Sequence, residues 1–405
     1  MSNADETRMN NLADRLKRIV AKLPRELSFA LGLFAATRLV LVIIGVVSRA
    51  LLPTSPLVPT ALHIGRSSLY TGHTWLDIWA VWDSVWYIQI AQQWYPPQLP
   101  PGQTNYGFFP LYPLLVRIVT PIAGSTLVAG IIVSNVCLIM ACVFLYRLCM
   151  LSSDEQTSLR SVKYLFLFPS AFVLSGVFSE PLFLLLAILC FYHARKQNWL
   201  FCGAAGFLAS LTRSNGVFLV LPIAYEYFKS KDFSFMKLRW DAVCVCLIPL
   251  GALLFAGYCY GMTGNAMAYS FAKKTGWYLM PSNPWTALCY NLHSHETTLK
   301  FNAVFSIAVI LSLTLFVRKI GFSFWLYGMI AIVLPLVYGI PNPVKPNAMT
   351  SVYGVMRFSL EIFPLYILLA KLTVNDSIDR FLTAFLAILQ GALMVYWSLG
   401  LSMVV

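Results

Sequence analysis

Apolar runs recur along this chain at or somewhat below the length of a membrane span, and short polar connectors separate them. A helix needs about 20 consecutive apolar residues to cross a bilayer core. On that scale the pattern predicts eleven spans, at 27–48, 125–149, 162–178, 181–195, 199–212, 215–229, 240–262, 300–317, 322–340, 357–372 and 380–402. Several are short enough to tilt, break or re-enter. The expected fold is an all-α polytopic membrane protein, a bundle of about 11 transmembrane helices. It divides into a cytoplasmic segment over 1–26 and a single membrane domain over 27–405. The first apolar run is too long for a signal-peptide core, so an uncleaved signal anchor is expected. Before it, Leu12, Leu16, Ile19 and Leu23 recur at the spacing of a helix lying on the membrane surface.

Between the spans, two outer segments are long, 49–124 and 263–299, and a third, about 341–356, carries Pro341, Pro343 and Pro346. Long loops on a rigid scaffold usually carry function. Within the first, Trp82 to Trp94 has helical periodicity, with Asp83, Tyr87 and Ala91 on one face and Trp82, Trp86 and Ile90 on another. Phe108 to Ile122 reads as a second apolar helix, interrupted by Pro110 and Pro113. Both are expected to lie along the membrane surface.

Composition agrees: 59% of residues are apolar and 11% charged, against roughly a quarter charged in soluble domains. The net charge of +13 does not point to nucleic acid. The basic residues lie in short connectors such as Arg195-Lys196 and Arg318-Lys319, as the positive-inside rule requires, and no basic stripe with interleaved aromatics is present. The bias places the N-terminus inside and the C-terminus outside. Nine cysteines, nearly all within apolar runs, are small core residues rather than a disulfide framework.

This topology leaves few acids outside: Asp77, Asp83, Glu180 and Glu296, with Glu361 inside the tenth span. A carboxylate set among tryptophans and tyrosines beside a membrane is costly, and functional by default. Asp83 is therefore the candidate general base; the alternative is that it N-caps the following helix. Glu180 precedes Pro181 and either lines the site or faces a helix dipole. Arg213, in a Ser-Asn-Gly turn, is either a phosphate ligand or a snorkelling turn residue. Arg357 is a similar candidate, and Lys273, Lys274 and Lys345 are weaker ones. Arg38, inside the first span, is expected to pair with Glu361. His293, His295 and Glu296 give only a weak metal pattern, and Asp77 and Asp83 do not form an Asp-x-Asp motif. No metal and no cofactor are expected. His63, His73 and His193 read as ordinary polar residues. Trp75, Trp79, Trp82 and Trp86 are denser than an interfacial belt needs, and suit sugar stacking or the wall of a lipid groove.

Four blocks occur in a recognisable order: Trp82-Asp83 with Tyr87; Phe108-Phe109-Pro110-Leu111-Tyr112-Pro113-Leu114; Ser179-Glu180-Pro181-Leu182-Phe183; and Thr212-Arg213-Ser214-Asn215-Gly216. A weaker fifth is Arg357-Phe358 with Phe363-Pro364-Leu365-Tyr366. Together they resemble the GPI mannosyltransferase 2 (PIG-V-like) family of the GT-C superfamily of membrane glycosyltransferases. Some members carry Arg-Tyr where this chain has Arg357-Phe358. The resemblance implies a GT-C-type bundle and a sugar donor on a polyprenyl phosphate, used on the non-cytoplasmic face of a lipid bilayer. The acceptor would be a glycolipid or glycan, in the inner membrane of a bacterium or the endoplasmic reticulum of a eukaryote. It marks Glu180, Arg213, Asn215, Arg357, Trp82 and Tyr87 as substrate-binding positions around Asp83.

The chemistry is consistent with that reading. The attacking hydroxyl needs a base, which a carboxylate in a partly dry cleft supplies. The leaving lipid phosphate is a stable anion that needs positive charge rather than a general acid. The competing reading is a lipid or glycolipid transporter or flippase. That class shows internal repeats and mid-membrane polar residues, and no repeat is evident here.

Overall fold

The computed structural model of the protein describes residues 23–52, 71–341, 349–350 and 354–401. The expected surface helix around Leu12, Leu16 and Ile19, as well as His63, Pro343, Pro346 and Lys345, lies outside the described residues. Helices dominate. Five of them are long and apolar enough to cross a membrane: Arg25–Leu51, Thr126–Met150, Trp240–Thr263, Thr297–Leu315 and Asp376–Ser398. The last four begin within a few residues of predicted runs and the first covers 27–48 entirely.

Among the described residues the other runs are helical but shorter or broken. Run 162–178 is not one helix: Glu155–Leu167 stops at Phe168, and a 3-10 turn follows over Ala171–Ser175. Run 357–372 breaks at Ile362. A short helix, Val355–Phe358, and a 3-10 turn, Ser359–Glu361, precede the helix Phe363–Leu372, which has Pro364 in its first turn. Proline lacks the N–H that an interior position would need, so it starts a helix rather than continuing one. Run 322–340 leaves the helix Phe322–Val333 for an extended strand. That strand belongs to a small antiparallel sheet in the order β1 (Met280–Pro281), β2 (Tyr338–Pro341), β3 (Met349–Thr350), with Met280 opposite Gly339 and Ile340 opposite Thr350. The sequence pattern did not call for it.

The Glu180–Arg195 helix sits in the middle. Thr126–Met150 packs on it, and so does Trp199–Thr212. Phe183, Leu184, Ala187, Ile188, Cys190 and Phe191 are all buried, as expected of a helix apolar on every side. The Trp199–Thr212 helix and the chain over 244–251 come together backbone to backbone. A Cβ on Gly203 would lie 2.1 Å from the Cys244 carbonyl oxygen, and one on Gly251 would lie 2.2 Å from that of Phe207. Small residues at such crossings permit the close approach on which helix association in lipid depends. The long helices instead expose apolar faces, including Leu39, Ile43 and Val47 on the first and Phe381, Phe385 and Ile388 on the last. Patches of this kind suit lipid rather than water.

The central helix also sets the polarity of the bundle. Its first residue is Glu180 and its last is Arg195, about 22 Å apart at 1.5 Å per residue. Loop 71–124, the turn at Arg213, segment 264–296 and the break at Ile362 all gather at the Glu180 end.

Candidate active site

The loop 71–124 forms the helices Ser84–Gln93 and Leu111–Ala123. The first was expected from Trp82, but Trp82 stands outside it with φ +54°, in the left-handed region. A bulky residue there is strained by about 1–3 kcal/mol. Asp83 follows in a helical conformation (φ −65°, ψ −9°) and makes no side-chain cap bond. An N-cap is normally extended so that its carboxylate can turn back onto the helix. The capping alternative is thus not the arrangement observed. Freed from the helix end, Asp83 Oδ2 accepts a hydrogen bond from Arg357 Nη1 at 2.8 Å.

From this pair a chain of charges runs inward. Arg357 Nε is 2.8 Å from Glu180 Oε1, and Arg213 Nη1 is 3.0 Å from the same oxygen. Arg213 Nε is 2.8 Å from Glu361 Oε1, and Asn215 Nδ2 donates to Glu361 Oε2. Ser179 ties the group to the loop: its Oγ accepts from Arg213 Nη1 at 3.0 Å and lies 2.7 Å from Tyr87 Oη. The Phe358 ring sits under both guanidiniums, 5.5 Å from that of Arg213 and 5.1 Å from that of Arg357, a cation–π arrangement for each. The arginine-aromatic block of the sequence is therefore one structural unit.

The three carboxylates differ in access. Glu180 is 0% and Glu361 1% exposed, whereas the Asp83 side chain keeps 20% of its surface open. Glu180 is held by charge alone, because neither oxygen makes a hydrogen bond of good geometry among the described residues. Tyr87 is buried in its helix, and burial pushes its phenol well above the ordinary value, with Glu180 adding to the shift. It serves as a neutral hydrogen-bonding group. Around it, Phe108, Tyr112 and Phe178 make edge-on contacts at ring distances of 5.0, 5.1 and 6.2 Å.

The sequence-predicted residues Asp83, Glu180, Arg213, Asn215, Arg357 and Tyr87 thus meet in one cluster. Trp82 adjoins it through the backbone, with a buried indole N–H that has no hydrogen-bond partner among the described residues. One expected pair is corrected: Arg38 does not reach Glu361. Its Nε donates to Ser175 Oγ at 2.7 Å and its Nη2 to the Ala171 carbonyl at 2.9 Å. The 3-10 turn that breaks the third run presents both acceptors; an unbroken helix would have kept the Ala171 carbonyl for its own backbone bond. Glu361 had looked mid-span. It sits instead in the break before Phe363, where it faces Arg213. Ser179, Phe358 and the Glu361–Arg213 pair were not anticipated; Pro364 was the available signal for the break.

His293 and Glu296 lie on a separate surface. With Trp285, Cys289, Tyr290 and His295 they line an open cavity of about 910 Å³ that contains no member of the ion cluster. His293 Nδ1 is bonded to the Cys289 carbonyl at 2.8 Å. Asp77 is also apart: it is buried, and its Oδ1 accepts from Thr71 Oγ1 at 3.0 Å and from Thr71 N at 3.2 Å.

No curated protein matches the chain. Among solved structures, the Archaeoglobus fulgidus oligosaccharyltransferase tethered with an acceptor peptide is similar at 14% identity, with a TM-score of 0.46. The similarity covers 90% of this chain and 55% of that one, so this chain spans little more than half its length. Residues 66–261 match the family model described as Mannosyltransferase (PIG-V), in line with the resemblance carried by the first four sequence blocks. That stretch, just under half of the chain, is similar to the family and supplies Asp83, Glu180, Arg213 and Asn215.

Proposed function

We propose that the protein is an inverting membrane mannosyltransferase of GT-C type that uses a polyprenyl-phosphate sugar as donor, a glycolipid or glycan as acceptor, and Asp83 as general base. The observation that carries the assignment is the difference in access: of three carboxylates in one ion cluster, only Asp83 is open to an incoming hydroxyl. In the step, the acceptor oxygen bonds to the anomeric carbon as the bond from that carbon to the phosphate oxygen breaks. The electron pair leaves on the phosphate, and the hydroxyl proton passes to Asp83. Arg357 fixes the carboxylate from behind. Glu180 and Arg213 hold Arg357 in turn, so they position the base rather than touch the reacting atoms.

The test is transfer from a short-chain polyprenyl-phosphate mannose in detergent. Asp83→Asn keeps the size and can still accept from Arg357, but cannot take a proton. Turnover should fall roughly a hundredfold or more with the melting temperature little changed. Near-normal turnover in that variant, with Glu180→Gln inactive, would move the base to Glu180. No transfer by the wild type, with movement of labelled lipid between leaflets, would favour the flippase reading. Sidedness has its own test. Cys289 is exposed, so an impermeant thiol reagent should label it from the non-cytoplasmic side; in a Cys289→Ser background the same reagent should not label Lys231→Cys.

A further inference from the structure

The leaving phosphate needs a cation, yet both arginines of the cluster are already matched. Arg213 shares its charge between Glu180 and Glu361, and Arg357 shares its charge between Glu180 and Asp83. Two guanidiniums against three carboxyl groups leave the cluster no net positive charge. A phosphate brought to it would find no net attraction unless another positive group stands nearby.

Lys273 is such a group. It lies on the helix Ala268–Gly276, half-buried, and among the described residues its ammonium makes no hydrogen bond and no ion pair. Three rings surround it, with centroids at 4.3 Å (Trp277), 4.6 Å (Phe108) and 5.9 Å (Tyr269). Phe108 in turn touches Tyr87 and Trp86, one turn along from Asp83. The lysine is held in this place by backbone. A Cβ on Gly276 would lie 2.6 Å from the Gly102 carbonyl oxygen, and one on Gly107 would lie 2.6 Å from the Trp277 ring. Thr275 Oγ1 accepts from Gly102 N at 3.3 Å. The charges acting on the ammonium are those of the cluster: Asp83 and Glu180 stabilise its protonated form, and Arg357 and Arg213 oppose it.

We propose that Lys273, set in the Trp277–Phe108–Tyr269 box beside Asp83, binds the phosphate of the polyprenyl donor and stabilises the charge that develops there as the sugar leaves. This rests on the transferase reading above. Its chemistry is asymmetric in a useful way. The donor phosphate is a diester with one negative charge; the released polyprenyl phosphate is a monoester approaching two, its second pKa being about 6. An ammonium with three free donors therefore gains most as the bond to the sugar breaks, which favours the transition state over the bound donor. The aromatic box holds the cation without supplying an anion that would compete. Desolvation lowers the lysine to about 8, with Arg357 and Arg213 working in the same direction. Binding of the anion raises it again.

The experiment uses the full chain in detergent, with a short-chain polyprenyl monophosphate as probe and transfer from the matching phosphomannose as the second readout. Lys273→Met should lower kcat roughly a hundredfold and change donor KM much less, and should bind the probe more weakly than wild type. Wild-type probe binding should weaken as pH rises past about 8. Lys273→Arg, which stays charged, should bind without that fall and confirm a folded site. Lys274→Met, altering an exposed neighbour, should behave as wild type. Unchanged probe affinity and kcat in Lys273→Met, with Asp83→Asn still inactive, would overturn the proposal and leave the transferase standing. Lysine-dependent probe binding in a protein with no transferase activity would do the reverse. Inorganic phosphate competing as well as the prenyl monophosphate would overturn the lipid assignment.

Discussion

Two ion clusters mark the two ends of this bundle, and they are finished differently. At the far end, Asp379 accepts from Lys163 Nζ at 2.6 and 2.7 Å and from Tyr164 Oη at 2.6 Å, and Arg160 reaches Asp376 at 2.9 Å. Only Asp376 stands at the rim, its side chain 78% exposed; the Asp379 side chain keeps 16% of its surface open, and both its oxygens are hydrogen-bonded. At the site end Glu180 is wholly buried, yet its Oε2 has no hydrogen-bond partner among the described residues, and Asp83 is left open at its tip. A wholly buried carboxylate held only by neighbouring charge costs several kcal/mol of desolvation. A protein selected for stability alone would complete such bonds, and a buried carboxylate left unbonded calls for an explanation. Saturation at one end and deficit at the other is what the proposed function expects of a structural cluster and a working one.

That contrast can be broken by experiment, and the largest effect should come from its centre. Glu180→Ala leaves two guanidiniums facing each other without their shared partner. We expect a loss of about 3–5 kcal/mol, read as a large fall in melting temperature, and no turnover. Asp379→Asn should cost about 1–3 kcal/mol through its lost charge-assisted bonds while turnover per folded molecule stays normal; the opposite ranking of the two would erase the distinction. Next, Arg213→Lys keeps the charge, but an ammonium cannot span Glu180 and Glu361 as a guanidinium does. Turnover should fall roughly tenfold with modest destabilisation, and an unchanged rate would reduce Arg213 to a turn residue. Gly107→Ala probes the same region from outside the ions: its new methyl meets the Trp277 ring, so stability should drop by about 1–3 kcal/mol and donor KM should rise. The smallest effect belongs to Asp376→Ala, below about 1 kcal/mol and smaller still in high salt.

How much of this was legible in the chain depended on whether a residue's role was local. Asp83, Glu180, Arg213 and Arg357 stood out because ionisable groups are scarce beside apolar runs. Helix positions followed from hydrophobic length. Pairing was harder, because it joins residues far apart in sequence. Arg38 and Glu361 were matched as the two buried charges of opposite sign, but the kink at Phe168 offered Arg38 neutral acceptors, and Pro364 moved Glu361 out of a helix and toward Arg213. Lys273 resembled any loop lysine. The overlooked signal was spacing: Tyr269, Lys273 and Trp277 are four apart and share a helix face. The third ring, Phe108, comes from another loop and was beyond reach of any local pattern.

The bond between Asp83 and Arg357 also bears on how the protein comes into being. Its two ends are 274 residues apart in the chain, and Glu361 follows still later. Contacts of such long sequence separation form late, after the loops that close them. During synthesis at the membrane, Asp83 therefore stands without its guanidinium until the chain has been made through Arg357. On the proposed reading, a product truncated before Arg357 would carry Asp83 and the first four sequence blocks yet remain inert, so activity itself reports that synthesis ran past Arg357.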